Sequence, residues 1–576
     1  MVFTTPPWVP SLSFDPPDSV PIHQFQFEEE HGRCQFRDSR NPFTCGLSAK
    51  TRSPIEVKAR IEYLAKGIGK VMGWAPNTRS EWEKVVSVYS MNHIDYMVLG
   101  WAVHRLNGIL TPASAACSAL ELEHQLRDSR SQAIFTCESL LPTAIQAATA
   151  AGLSEKHVYL LEPSNQIRGS LASLSWKSLD ELVLEGMNEP PLEELHWESG
   201  QGARQVAYLC YSSGTSGPPK GVEITHRNII ANVLQLSALD STARDTKRRN
   251  MFQTAYNEAC LGVLPMSHAY AITIWQLSTY RGDGVIVFPN FDLRNCFEAI
   301  SRYQIRTLWL VPAILELFMR NHDLLCKFDV NSVTDIVAGA APLSNEKVLA
   351  LQELFPKWRF RQGYGLTEAC TVICWTPDHD IMPGSVGCLL PGIEAKIISS
   401  DSEEISQHNV PGELLVRSPS VSIGYHNDAE STKQTFADGW LHTGDKAMVC
   451  VSPLGYEHLV ITDRVKDLIK VRGYQVSPSE LESLLLTHPD VSDCCVVSVP
   501  DALSGEVPKA FIVRKQKAGD SEFGNYDLQC RIQKYVDENM AEYKRLKGGV
   551  EFVAEIPRGA GGKLLRRILR QENNTA

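Results

Sequence analysis

The chain has 576 residues, 43% hydrophobic and 21% charged, the balance of an ordinary globular protein with material for more than one core. Its 56 Lys and Arg against 67 Asp and Glu leave a formal charge of −11, which argues against a nucleic-acid partner but allows a local basic groove for anionic phosphates. The 15 cysteines are scattered without paired spacing, which reads as reduced thiols rather than a disulfide framework or a zinc site.

From the N-terminus, Met1–Pro10 is proline-rich and uncharged, with no basic stretch ahead of an apolar core, so no secretory signal is expected. Residues 1 to about 50 read as an irregular lead-in. Ile55, Val57, Ile61, Leu64 and Ile68 recur at helical spacing and predict a helix over Ile55–Met72. Short β-branched runs then alternate with helical stretches. Strands are predicted at Val85–Tyr89, Ala133–Thr136, Val158–Leu161, Gly284–Phe288 and Thr307–Val311, with a helical pattern through Val103. This alternation implies α/β units with largely parallel sheets. After about residue 384 the pattern shifts to short strands with turn signals, such as Glu394–Ile398 and Glu413–Val416, which predict a β-rich subdomain. Past Asp463 comes a charged stretch and a compact α+β unit with strands near Cys494–Val499 and Ala510–Val513. The expected division is 1–462 and 463–576. No apolar stretch is long enough to span a bilayer, and the terminal Asn573-Asn574-Thr575-Ala576 is not a Ser-Lys-Leu-type address, so a cytoplasmic protein is expected.

The most specific segment follows the apolar run Val206–Cys210. It reads Tyr211-Ser212-Ser213-Gly214-Thr215-Ser216-Gly217-Pro218-Pro219-Lys220-Gly221. Glycines let backbone amides approach phosphates, hydroxyls donate, and a lysine adds charge. It is not a Walker loop, because glycine follows Lys220 where Ser or Thr is required. Taken whole, it resembles the phosphate-binding loop of the adenylate-forming superfamily of acyl-CoA synthetases, adenylation domains and luciferases.

The rest of that family's pattern follows in order over roughly residues 80 to 570. It includes Leu264-Pro265-Met266-Ser267-His268-Ala269-Tyr270, Val337-Ala338-Gly339-Ala340-Ala341 and Gln362-Gly363-Tyr364-Gly365-Leu366-Thr367-Glu368. Gly384-Ser385-Val386-Gly387, Gly439–Asp445, Asp463–Lys470 and Gly561-Gly562-Lys563 complete it. The 264–271 and 463–476 segments look like the 4-coumarate–CoA ligase branch. The resemblance implies an α/β protein: a large N-terminal domain of α/β subdomains plus a β-rich subdomain, with a small mobile α+β C-terminal domain. The implied reaction is ATP-dependent activation of a carboxylic acid to acyl-AMP and pyrophosphate, then thioester formation with coenzyme A.

The resemblance also implies the site. Ser212, Ser213, Gly214, Thr215, Ser216, Gly217 and Lys220 would hold the β- and γ-phosphates. Gly339, Ala340, Ala341, Gln362, Gly363, Tyr364 and Gly365 would line the adenine side. Thr367 would bond the α-phosphate, Glu368 would bind Mg²⁺, and Asp445 and Arg464 would contact the ribose. His268 would sit beside the acyl carboxylate, and Lys563 would be the catalytic lysine. The segment before it, Gly559-Ala560-Gly561-Gly562, departs from the family's Ser-x-x-Gly-Lys and makes that loop looser, since glycine loses most entropy when fixed. Lys466 would be the hinge on which the small domain swings from an adenylating to a thioester-forming pose, with Lys470, Arg472, Gly473, Tyr474 and Gln475 along the thiol route.

The acyl pocket would be lined by His268, Tyr270, Ala271, Gly339, Ala369 and Cys370, mostly small or apolar. No lysine or aspartate there would pair an amino acid's second charge, so an aryl or medium-chain acid is expected. Cys370-Thr371 departs from the Gly-Pro of plant hydroxycinnamate ligases, which argues against 4-coumarate itself. The alternatives are an enzyme that loads a carrier-protein phosphopantetheine, a luciferase-like oxygenase, and a non-catalytic nucleotide-binding relic of the fold. The oligomeric state is not legible.

Overall fold

The computed structural model describes all residues except 162–175, 213–218, 252–254, 342, 344, 465–466, 472–473, 502–503, 516–524, 541, 560–563, 567 and 571–576, and the side chains at 464, 470, 474, 475, 505 and 525. Helix α1 (Pro54–Met72) begins where the Ser53 hydroxyl accepts from the Glu56 amide while the Glu56 carboxylate accepts from the Ser53 amide, with Pro54 as its first residue. Val57, Ile61, Leu64 and Ile68 form its buried face, as their spacing predicts, whereas Ile55 of the same series, in the first turn, is exposed.

Strands β1 (Val85–Tyr89), β2 (Ile109–Ala113), β3 (Ala133–Thr136), β4 (Val158–Leu160), β5 (Val206–Ser212) and β6 (Lys220–Thr225) form the first sheet, with α2 (Tyr96–Arg105) between β1 and β2. Its order is β6-β5-β2-β1-β3-β4, and the short strand Gly424–Tyr425 adds to β6. β1 runs parallel to β2 and β3. β5 and β6 are antiparallel and end in register at Ser212 and Lys220, so the hairpin presents both flanks of the Ser/Gly-rich segment together.

Helices α3 (His226–Asn250) and α4 (Ala269–Arg281) pack against each other beside the second sheet. That sheet contains β7 (Ala259–Gly262), β8 (Gly284–Val287), β9 (Thr307–Leu310), β10 (Asp335–Ala338) and β11 (Arg359–Tyr364), parallel in the order β11-β10-β9-β7-β8. A buried charge cluster fixes β11 against the helices. Asp240 of α3 accepts from Arg361 of β11 at 2.8 Å and from Arg281 of α4 at 3.2 Å. Burial alone would raise the Asp240 carboxyl; the two guanidiniums overcome it and hold it far below the usual range.

The third sheet is antiparallel: β12 (Glu394–Ile398), β13 (Gly412–Arg417), β14 (Trp440–Val451) and β15 (Glu457–Arg464), with α5 (Ala429–Thr435) at its side. The fourth comprises β16 (Ile469–Val471), β17 (Tyr474–Val476), β18 (Val491–Asp501), β19 (Gly505–Arg514) and β20 (Val550–Phe552), with α6 (Pro478–Thr487) packed on it. It has its own core, including Ile469, Val476, Leu481, Val496 and Ile512. No helix among the described residues is long and apolar enough to cross a membrane.

One expectation is corrected. The lead-in is not irregular: Phe43–Cys45 runs parallel to β8, Phe3–Thr4 pairs with β12, and Ile22–Phe27 is a helix with Ile22, Phe25 and Phe27 buried. These elements are too short to show a period, and their partners lie hundreds of residues away. β15 also continues to Arg464, two residues past the expected division at 462.

Candidate active site

Three sheets bring the motif residues together. Glu368 lies in a single 3₁₀ turn, Thr367–Ala369, just after β11. Its Oε1 accepts from the Ser212 hydroxyl at 3.2 Å, at the end of β5, and from the Tyr425 hydroxyl at 2.9 Å. The carboxylate thus stands at the mouth of the β5–β6 hairpin, with half-buried Thr367 beside it. Lys220, the first residue of β6, lies 3.0 Å from Asp428, bonds the Ser431 hydroxyl, and rests 5.3 Å from the Tyr425 ring centroid. The Ser431 hydroxyl and amide, then Lys220, hold the Asp428 carboxyl down to about 2.

Tyr364 of β11 donates to Asp445 Oδ2 of β14 at 2.7 Å. Asp445 also faces Arg464 across the β14–β15 ladder, so two residues expected at the ribose occupy neighbouring strands. Gln362 pairs with Ala338 in register, which sets Gly339, Ala340 and Ala341 beside the end of β11. The Gln362 side chain accepts from the Leu343 amide at 3.3 Å and donates to the Ser385 carbonyl at 3.5 Å. Ser385 in turn lies 2.9 Å from His458 Nδ1, whose Nε2 is 3.0 Å from Asp380, so a buried polar chain pins the 384–387 motif to β15.

Two glycines are dictated by close approach. A Cβ on Gly365 would sit 1.4 Å from the Thr371 carbonyl, and one on Gly339 would press the Tyr270 ring at 3.1 Å. The turn after Glu368 carries Cys370 at φ 56° and Thr371 at φ 109°, conformations that favour glycine. Here they are held by bonds: the Thr273 hydroxyl donates to the Cys370 carbonyl at 3.0 Å, and the Val372 amide donates to Asn232 at 3.1 Å.

His268 caps the N-terminus of α4. Its Nδ1 accepts from the Tyr270 amide at 3.1 Å, which leaves the neutral ring's proton on Nε2. It is exposed, not a core histidine. Tyr270, Ala271, Ala369 and Cys370 are buried, the Tyr270 ring lies against Gly339, and the Tyr270 hydroxyl has no hydrogen-bond partner among the described residues. Burial pushes that phenol's pKa up, so it stays protonated.

Ser213, Gly214, Thr215, Ser216, Gly217, Lys466, Arg472, Gly473 and Lys563 lie outside the described residues, as do the side chains of Arg464, Lys470, Tyr474 and Gln475. The backbones of Lys470 and Gln475 pair across the β16–β17 hairpin, and those of Val471 and Tyr474 do likewise. Sequence reasoning missed Tyr425, Asp428 and Ser431, which lie 57 residues or more from the groups they bond. The only signal would have been an acidic cap residue, Asp428, opening a short helix after a Gly-Tyr pair.

A sequence model of the AMP-binding enzyme family matches residues 51–426, and the model of its C-terminal domain matches 480–563. The chain belongs to the AMP-binding enzymes, in their adenylate-forming acyl-CoA synthetase branch. It is 38% identical to the acyl-CoA ligase cm3C of Cordyceps militaris, over 99% of this chain and 90% of that one. It is 37% identical to the acyl-CoA ligase easD of Emericella nidulans over the full length of both. In fold it is similar to ATP-bound MatB from Rhodopseudomonas palustris, with a TM-score of 0.76 and 23% identity over 96% of this chain and 98% of that one. Like its relatives, this AMP-binding enzyme is an AMP-forming acid–CoA ligase that uses ATP, Mg²⁺ and coenzyme A. The site fits Mg²⁺. Among the described residues no cluster of three or more acidic, His or Cys ligands exists, and Glu368 is a single carboxylate with Oε1 engaged by hydroxyls. Mg²⁺ takes one or two carboxylates and completes its shell with phosphate oxygens and water.

Proposed function

We propose that this ligase activates an aryl or medium-chain acid, with the site residues acting as follows. The acid is ionised at neutral pH and needs no general base. Carboxylate and triphosphate are both anions, so the barrier is charge repulsion and positioning, which cations and fixed donors lower. Glu368 would hold Mg²⁺, which supplies charge neutralisation at the phosphates. Lys220 and the hydroxyls and amides of 212–217 hold the β- and γ-phosphates. Tyr364 and Asp445 orient the nucleoside, Asp445 accepting from the ribose. His268 offers its Nε2 proton to the acid's carboxylate.

Lys563 bridges the attacking oxygen and the α-phosphate as the acyl–O–P bond forms and pyrophosphate leaves. The unit from 463 onward then rotates about Lys466, and the turn at 471–474 lines the path for the thiol that displaces AMP. The observation that carries this reading is the convergence of Ser212 and Tyr425 on Glu368, four residues along the chain from the Tyr364–Asp445 pair. The acid class is supported by the buried, mostly small or apolar Tyr270, Ala271, Ala369 and Cys370, with the Tyr270 hydroxyl without a hydrogen-bond partner among the described residues. All fifteen cysteines are free, in keeping with a cytoplasmic site of action.

ATP–pyrophosphate exchange with aryl and C4–C16 fatty acids, with and without coenzyme A, tests the proposal. Acid-dependent exchange is expected to fall about a hundredfold or more in Lys563→Ala, with thioester appearing only when coenzyme A is added. Exchange without thioester would assign the acceptor to a carrier protein. An absence of exchange despite ATP binding would sink the catalytic reading of these residues.

A further inference from the structure

The segment ahead of Lys563, Gly559-Ala560-Gly561-Gly562, has almost no side chain with which to hold itself. The described stems on either side of it are both clamped by arginines. On the upstream side, Arg558 donates two bonds to Asp493 of β18, at 2.8 and 3.0 Å. On the downstream side, three residues past Lys563, Arg566 donates to both oxygens of Glu482 in α6, at 2.8 and 2.7 Å. Its Nε donates to the Val496 carbonyl of β18 at 3.2 Å, and its remaining nitrogen lies 3.7 Å from Asp467. Glu482 is fixed from behind by the Val496 amide at 2.7 Å, and Arg570 reaches Asp467 at 3.4 Å. The stems are joined by a bridge between Arg558 and Leu564 and by the Leu565 amide donating to the Pro557 carbonyl at 2.9 Å. Ile556, Leu564 and Leu569 seal them onto Cys495, Val497 and Phe511.

The two clamps differ in weight. Side chains of the Arg558–Asp493 pair are 38% and 33% exposed, so water screens that contact. Those of Arg566–Glu482 are 12% and 11% exposed; Nη2 alone meets both carboxylate oxygens while Nε and Nη1 turn to the Val496 carbonyl and Asp467, so all three nitrogens of the guanidinium are held. Asp467 ties the same guanidinium to the residue that follows the expected hinge, Lys466.

We propose that Glu482 and Arg566 are positioning residues for adenylate formation: their buried pair fixes the stem Leu564–Arg566 that directly follows Lys563. The inference rests on the reading of Lys563 given above. In that reading Lys563 serves acyl-adenylate formation only, so a displaced stem slows the first half-reaction and leaves the second alone. A merely structural pair would affect both.

The test uses full-length Glu482→Gln, Arg566→Lys and Asp493→Asn, with Lys563→Ala as comparator. Hydrogen exchange needs no acid. The Leu565 amide is expected to exchange about tenfold faster or more in Glu482→Gln, with β18 and β19 unchanged. Exchange of pyrophosphate supported by cinnamate or octanoate is expected to fall about ten- to a hundredfold in Glu482→Gln and Arg566→Lys, and less in Asp493→Asn. Thioester formation from synthetic cinnamoyl- or octanoyl-adenylate should stay within about twofold, the split that marks an effect on Lys563 delivery. Equal loss in both half-reactions, or an unchanged Leu565 amide, would overturn the proposal. If Lys563→Ala itself keeps full exchange, the role of the lysine fails instead, and the clamp is then judged on hydrogen exchange alone.

Discussion

Tyr364 and Lys220 show how much of the site single residues could reveal. Each was legible from its motif, but neither bonding partner was. Tyr364 donates to Asp445, 81 positions away, and this bond fixes the acid proposed to receive the ribose. Tyr364→Phe is expected to raise KM for ATP about three- to tenfold, the weight of one hydrogen bond to a charged group, with kcat nearly unchanged; steady-state kinetics in ATP reads this. Lys220 is paired with Asp428, a carboxylate that would compete for the same ammonium with the phosphates proposed to bind there. Asp428 also caps α5 by accepting from the Ser431 amide at 2.9 Å, a bond asparagine can keep. Asp428→Asn should therefore leave the fold intact and lower KM for ATP about two- to threefold, and an unchanged or higher KM would contradict the competition.

At the level of elements, caps and apolar spacing marked the long pieces, and tertiary pairing decided the short ones. α3 begins with a buried reciprocal cap: the Thr225 hydroxyl accepts from the Asn228 amide at 3.2 Å, and Asn228 accepts from the Thr225 amide at 2.9 Å. That cap is local, closed within four residues of chain. Invisible was the second duty of Asn228, whose amide donates to the carbonyls of Pro419 and Val421 at 2.9 and 2.8 Å and welds that loop to the helix. Thr225→Ala is expected to cost about 1–2 kcal/mol. Asn228→Ala should cost more, because it strands two further carbonyls. Urea unfolding of the pair checks the ranking. The Cys370–Thr371 turn belongs at this scale too: the departure from Gly-Pro was seen, but the bonds from Thr273 and Asn232 that make it tolerable come from α4 and α3.

For the whole molecule, the interior makes a commitment about pH. His104 of α2 and His226 of α3 are fully buried with ring centroids 4.8 Å apart. Burial lowers the His104 pKa to about 4 against a smaller opposing pull from its bond to the Ala207 carbonyl; burial, then His104, lowers that of His226 well below its ordinary value. Folded-state values lie below unfolded ones, so the unfolded chain binds more protons between pH 6.5 and 4, and stability falls as pH drops through that window. His104 alone should remove about 2 kcal/mol between pH 7 and pH 5. Melting temperatures across that range, compared with His104→Gln, should show a shallower pH slope in the variant; an equal slope would refute the assignment.

By itself the sequence determined the family, the reaction, the α/β layout and nearly every motif residue, because backbone-dictated glycines, phosphate-loop chemistry and helical periodicity are local properties. The tertiary structure alone decided which side chains share a bond. Ser212 with Tyr425 on Glu368, Asp428 on Lys220, and Glu482 on Arg566 are pairings across 57 to 208 residues of chain, and geometry at such separations is set by how sheets and helices pack, which no short window of residues encodes.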